Sequence, residues 1–262
     1  MNSRPKISVV TVSYNAATTI EKTIQSVIYQ SYPNIEYIII DGGSTDGTID
    51  VIKKYEDRIA YWVSEPDKGI YDAMNKGISR VTGSFVGIIN ADDWYAQNAI
   101  EIMANHIISY PEIDFFYGDM IVYYSEKKQS LRHSDHIEMK KGICVTHPTS
   151  FVRKSVYDEK QFSLNYKMAG DYDFMLWCFM NGKKFMDTHQ VISYFTPGGL
   201  SSVPSIKYMD SFYIWKEYIG TYKAICYFSR DFFFKLWKYP IKRGMLLLLG
   251  NDKYWKLLSR IK

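Results

Sequence analysis

The feature that most constrains this chain is a series of short, continuously apolar segments, each giving way to apolar residues at helical spacing. Ile7-Ser8-Val9-Val10-Thr11-Val12 leads, after Ser13-Tyr14-Asn15, into Ile20, Ile24, Val27 and Ile28. Residues 35–40 are apolar and end at Asp41-Gly42-Gly43-Ser44, and 48–55 read as a helix behind a Ser/Thr/Asp-rich cap. A third strand at 59–63 precedes a helix over 70–81, and a fourth at 85–89 runs directly into Asn90-Ala91-Asp92-Asp93. Strands that are apolar throughout are buried on both faces, so the pattern predicts an α/β fold with a mainly parallel central sheet and helices on both sides. Such sheets bind ligands at the carboxyl ends of their strands, where the polar clusters of this sequence fall.

Beyond residue 110 the pattern is mixed. Strands are expected at 115–119, 121–124 and 191–195, and a helix over 170–180 entered through Asp171. From about Ser205 the chain becomes aromatic and basic, with helices expected over 208–222 and 224–237, which suggests a main domain over 1–204 and a helical extension over 205–262. A chain of 262 residues, 47% of them hydrophobic, can bury such a core. The net charge of +4 and the lack of a basic block beside an aromatic ladder argue against nucleic acid as a partner. Cys144, Cys178 and Cys226 form neither a CxxC pair nor a zinc spacing with the five histidines, which suits a reducing compartment. The first residues lack a signal-peptide pattern, and the aliphatic run at 245–249 is far below the roughly 20 residues that cross a bilayer. A cytoplasmic protein is the expectation.

Two adjacent carboxylates straight after a buried strand repel one another unless something positive sits beside them. Oxygen ligands of this kind suit Mg²⁺ or Mn²⁺, which bridge protein carboxylates to substrate phosphates. The residues alone equally allow Asp92 or Asp93 to cap a helix starting at Tyr95. If the strands are parallel neighbours, Asp41, the Pro66-Asp67-Lys68-Gly69 turn and Asp92-Asp93 converge on one crevice, with glycines at 42, 43, 47 and 69 permitting close backbone approach. No GxGxxG follows the first strand and no GxxxxGK(S/T) occurs, so neither a dinucleotide fold nor a P-loop is indicated.

Val12-Ser13-Tyr14-Asn15, the run Ile40-Asp41-Gly42-Gly43-Ser44-Thr45-Asp46-Gly47-Thr48, the stretch from Ser64-Glu65-Pro66-Asp67 through Tyr71 and Asn75 to Gly77, and Asn90-Ala91-Asp92-Asp93 together resemble a family 2 glycosyltransferase with the GT-A fold. The resemblance covers about residues 5–200 and is nearest to the small bacterial enzymes of O-antigen and exopolysaccharide assembly. It implies a GT-A catalytic domain and inverting, metal-dependent transfer of a hexose from a nucleotide-sugar donor, with UDP as the expected nucleotide. By the same resemblance Tyr14 and Asp41 contact the base and Asp92 the ribose. Asp93 holds the Mg²⁺ or Mn²⁺ that bridges the diphosphate, and Asp67 and Asn75 line the donor pocket. The chain departs from the family pattern at Gly42, where many relatives carry a second Asp, and at Asn90, the first acidic position of the DxD-like motif.

Inverting transfer needs a general base for the acceptor hydroxyl. The family takes it from a Glu-Asp pair at a helix start; here Gly170 replaces the Glu and Asp171 aligns with the base. Asp171 also suits the first turn of a helix on electrostatic grounds, and the two roles can coexist. Asp119, in Tyr117-Gly118-Asp119, and His147, in Thr146-His147-Pro148, fall where relatives place acceptor-facing residues, although a lone His is often only structural. Pro197-Gly198-Gly199-Leu200 resembles a segment that folds over the donor. Phe232-Phe233-Phe234 and Trp237 among Lys235, Lys238, Lys242 and Arg243 suit a helix lying at a membrane interface, with core packing as the competing explanation. The resemblance then implies a polyprenyl-diphosphate-linked saccharide acceptor, reached peripherally on the inner face of the cell membrane. Two rival readings stand beside this one, a nucleotidyltransferase and a non-catalytic membrane-surface scaffold with a transferase-like fold.

Overall fold

A computed structural model describes residues 4–142, 144–198 and 204–229. One compact unit ends at Asp210 and a second begins at Ser211. In chain order the elements are β1 (Ile7–Ser13), α1 (Ile20–Ile28), β2 (Ile35–Asp41), α2 (Thr48–Lys53), β3 (Tyr61–Ser64), α3 (Ile70–Ile78), β4 (Phe85–Asn90), β5 (Trp94–Tyr95), α4 (Ala99–Ser109), β6 (Phe115–Ser125), β7 (Lys128–Arg132), β8 (Phe151–Arg153), α5 (Lys154–Glu159), α6 (Gly170–Met180), β9 (Phe185–Phe195) and α7 (Pro204–Ile219).

The strands form a nine-stranded sheet in the order β3-β2-β1-β4-β8-β6-β9-β5, with β7 paired to β6. β3, β2, β1 and β4 are parallel neighbours, as their sequences predict. β8 runs antiparallel to both β4 and β6, β9 runs parallel to β6, and β5 pairs antiparallel with β9. Every residue of β1 is buried, and successive side chains serve opposite faces. Ile7 and Val9 join Ile39, Ile89, the Ile20, Ile24 and Val27 stripe of α1, and Ile100 and Met103 of α4 in one core. Val10 and Ile40 point the other way, toward Gly77 of α3.

The sequence misplaces several boundaries for physical reasons. β6 is one strand with a register shift against β9, where the apolar pattern suggests two. β9 begins at Phe185, well before the apolar run at 191–195. β7 is exposed along its whole length and carries no burial pattern to read. The helix expected at Tyr95 starts only at Ala99, because Trp94 and Tyr95 pair with Tyr194 and Ser193. No helix among the described residues is long and apolar enough to cross a membrane. The aromatic and basic stretch from Phe232 to Arg243, and the segment after Pro197-Gly198 from Gly199 to Val203, lie outside the described residues.

The amino ends of the strands are tied by Glu36 of β2. Its carboxylate accepts from Lys6 Nζ at 2.8 Å, Ser8 Oγ at 2.6 Å, and the Thr82 N–H and Oγ1 at 2.7 and 2.6 Å. Burial pushes this carboxyl up, but the four donors outweigh it and hold the pKa at about 2. An unfolded Glu titrates near ~4.3. The stabilisation is therefore complete above ~4.3 and is lost as pH falls through about 2. Glu36→Gln is expected to cost about 1–3 kcal/mol at neutral pH. Urea unfolding across the pH range should show that deficit shrinking in acid; an equal deficit at every pH would contradict this account.

Candidate active site

The site is assembled by register. Ser13, Asp41 and Ser64 face one another across β1, β2 and β3, and Val12 lies opposite Asn90 on β4. Asp41 is fully buried. Its Oδ1 accepts from Ser13 Oγ at 2.8 Å and Ser44 Oγ at 2.6 Å. Its Oδ2 accepts from Ser64 Oγ at 2.7 Å and from the N–H groups of Gly43 and Ser44 at 3.1 and 2.8 Å. Burial raises this carboxyl, but the donors prevail and keep it below the usual carboxylate range. As placed, Asp41 is a hub that shapes the loops rather than a group presented to a base.

The loop after β1 turns through Asn15, at φ 47°, whose Oδ1 accepts the Thr45 N–H at 2.9 Å. That turn leaves the Tyr14 ring 66% exposed beside Gly42. Gly42 matters through what covers it. A Cβ there would collide with the Asp67 carboxylate, whose Oδ2 lies over the bare Cα, while Tyr14 Cδ2 would be 3.4 Å away. Asp67 Oδ1 accepts the Gly69 N–H at 2.7 Å. The space over position 42 is thus taken by a carboxylate from the turn before α3.

At the end of β4, Asp93 is fully buried and Asp92 half-buried. Burial first, then repulsion from Asp92, pushes Asp93 far above the ordinary carboxylate range. Its Oδ1 accepts the Thr196 N–H at 3.2 Å, whereas its Oδ2 and the Asn90 Oδ1 are buried without any donor. α4 begins beyond Asn98, so neither Asp92 nor Asp93 caps it. Two orphaned acceptors next to a destabilised carboxylate fit a cation, which would remove both penalties. Among the described residues no group of three or more His, Cys, Asp or Glu side chains is arranged to hold a metal. A cation here would rely on Asp93 together with ligand oxygens and water, as suits Mg²⁺.

Asp171 stands in the first turn of α6. Its Oδ1 accepts the Tyr71 O–H at 3.2 Å and the Tyr172 N–H at 2.9 Å. Tyr71 packs at 5.8 Å on Phe162, whose ring also meets His147, Tyr157 and Phe174. Asn75 grips the Phe162 backbone at both ends of its amide, giving 2.9 Å to the carbonyl and receiving 3.0 Å from the N–H. Asn75 is therefore a clamp between α3 and residue 162, not a group free to line a donor pocket. His147 is buried; desolvation lowers its pKa against the pull of Asp171, which leaves it neutral at pH 7. Asp119, nearly buried on β6, accepts from His133 Nδ1 at 2.9 Å. No contact joins Asp119 to Asp171 or His147 among the hydrogen bonds of the described residues. Tyr71, Thr196 and the three serines around Asp41 are not singled out by the sequence. For Tyr71 a signal exists: it is the second residue of α3, directly after the Pro66-Asp67-Lys68-Gly69 turn.

The chain matches the model of glycosyl transferase family 2 over residues 8–181. It is 29% identical over 208 residues to a PGL/p-HBAD biosynthesis glycosyltransferase of Mycobacterium bovis, covering 76% of this chain and 80% of that protein. It is 41% identical over 103 residues to the putative teichuronic acid biosynthesis glycosyltransferase TuaG of Bacillus subtilis, covering 38% and 41% of the two chains. Among solved structures, S. aureus TarS 1-349 in complex with UDP-GlcNAc aligns with a TM-score of 0.66 at 19% identity, covering 80% of this chain and 65% of that one. The mannosyltransferase PcManGT of Pyrobaculum calidifontis, in complex with GDP-Man and Mn²⁺, aligns with a TM-score of 0.64 at 16% identity over 99% and 80% of the chains. These likenesses establish the GT-A fold, and the family match spans the whole βα half of the sheet, the acidic pair and the start of α6: the chain belongs to glycosyl transferase family 2.

Proposed function

We propose that the chain transfers a hexosyl group from UDP, with inversion, to a lipid-linked saccharide, using Asp93 to hold a divalent cation and Asp171 as the base. The observation that carries this reading is the buried, donor-less pair Asp93 Oδ2 and Asn90 Oδ1, which folding alone leaves unexplained. Nucleotidyl transfer also uses carboxylates and a metal, but the family match favours sugar transfer.

Tyr14 offers an exposed ring face for a base to stack on. The Asp67 carboxylate, with Oδ1 accepting the Gly69 N–H and Oδ2 beside Gly42, lies near that ring and can accept the imide N–H of a uracil stacked on it. Asp92, half-buried just after β4, is assigned to the ribose. A bound cation would stabilise charge developing on the departing diphosphate. Asp171 takes the acceptor proton on Oδ2, since Oδ1 already holds two donors. The acceptor oxygen bonds to the anomeric carbon as the bond from that carbon to the diphosphate breaks. His147, neutral, and Asp119 are assigned to orienting the acceptor. The acceptor class and the peripheral placement at the inner membrane face rest on the resemblance to polysaccharide-assembly enzymes and on the aromatic, basic residues beyond 230.

Three measurements check this. Asp171→Asn should lower turnover about 10²–10⁴-fold while donor binding is kept; a silent substitution would rule out Asp171 as the base and favour a non-catalytic scaffold. UDP-sugars with Mg²⁺ or Mn²⁺ should raise the melting temperature more than GDP- or dTDP-sugars, and Asp93→Ala should abolish the metal-dependent part. Stabilisation that ignores the metal and survives Asp93→Ala would sink the metal assignment. The full chain should float with anionic vesicles at low salt, and removal of residues 230–262 should abolish flotation.

A further inference from the structure

The base helix of this chain is built around a glycine. A Cβ at Gly170 would lie 2.9 Å from Cδ2 and Cε2 of Tyr71, too close for the ring to stay where it is. The bare Cα of residue 170 therefore makes room for a side chain from another element, and that side chain reaches Asp171. Tyr71 is 6% exposed, and besides donating to Asp171 Oδ1 its oxygen faces the backbone N–H groups of Gly170 and Asp171 at the start of α6.

The ring is held firmly. Asn75, one turn further along α3, fixes the Phe162 backbone, and the Phe162 ring packs against Tyr71. A clamp on α3 thus places a ring, the ring places a hydroxyl, and the hydroxyl takes one oxygen of the carboxylate.

We propose that Tyr71 is the positioning residue of the general base: its O–H, admitted by Gly170, fixes Asp171 Oδ1 so that Oδ2 is aimed at the acceptor hydroxyl. This rests on Asp171 being the base. It also joins the two halves of the reaction, because Tyr71 and the Asp67 turn belong to one short segment at the start of α3. The titratable groups that interact with Asp171 are Tyr71 from α3 and His147 from the turn before β8, while Asp173, two residues along α6, is paired with Lys160 at 3.3 Å. Burial and the negative charge of Asp171 keep Tyr71 a phenol, and desolvation keeps His147 neutral. The hydroxyl of Tyr71 thus stays a donor to Asp171.

The experiment compares the full chain with Tyr71→Phe and Gly170→Ala. The Phe variant keeps the ring and loses only the O–H. Its plateau kcat should fall about ten-fold with the donor KM unchanged. A carboxylate deprived of a donor is harder to ionise, so the acidic limb of the kcat/KM profile should move up by about one pH unit. Gly170→Ala, which displaces the ring, should reproduce both effects, and the double variant should add nothing beyond the larger single effect. A purely packing role would change the melting temperature and leave the limb in place. If Asp171→Asn is inactive while folded Tyr71→Phe keeps wild-type kcat and pH profile, the positioning role is overturned and the base assignment stands. If Asp171→Asn is active, the base assignment falls first. Should Tyr71→Phe fail to fold, Gly170→Ala alone decides, an unmoved limb in a folded protein being the contrary result.

Discussion

A carboxylate withdrawn from water must be satisfied by the protein, and an unsatisfied one costs several kcal/mol. Asp41 meets that demand with five donors drawn from the ends of β1 and β3 and from its own loop. The constraint works in both directions. Because Ser13, Asp41 and Ser64 occupy one row of the sheet, a slip of either neighbouring strand by one residue would turn a serine to the opposite face and orphan a buried charge. The loops that carry Tyr14, Gly42 and the Asp67 turn leave from this row. Their positions are therefore inherited from one side chain that need never touch a ligand.

Two glycines at opposite ends of the site show a common logic. Gly42 admits the carboxylate of Asp67, and Gly170 admits the ring of Tyr71. In each case the bare Cα leaves space that is taken by a side chain from the segment around the start of α3. A polar group is thereby presented at each position by a different element. α3 consequently matters to both halves of the site, although Ala73, Met74, Gly77 and Ile78 are simply buried.

Much of the fold is legible in the sequence because continuous apolar strands and helical spacing both report burial. β1, β2, β4, α1 and α6 fall close to where those patterns put them. The failures share a cause. β5 has only two residues, β7 is exposed, and the early half of β9 pairs through its backbone without an apolar run, so none of them leaves a burial signature. The site is legible to the extent that acids at strand ends mark a crevice. Its division of labour is not, since sequence cannot distinguish a saturated acid from an open one. Asp41 and Asp93 read alike as strand-end carboxylates, yet the first accepts five hydrogen bonds and the second keeps an oxygen with none. Asn75 likewise reads as a pocket residue until its amide is found gripping Phe162.

The two-residue strand β5 has one further effect. It follows Asp93 immediately and pairs Trp94 and Tyr95 with Tyr194 and Ser193 of β9, while the Asp93 carboxylate accepts from Thr196, just past the end of that strand. The main chain of Asp93 is thus anchored to the same strand whose continuation covers its side chain. A cation at Oδ2 would meet an acid whose backbone is already immobilised and whose Oδ1 can keep its bond from the Thr196 N–H. Such a site behaves like a socket with a fixed base, in which an open position can be filled without unfastening the framework that holds it.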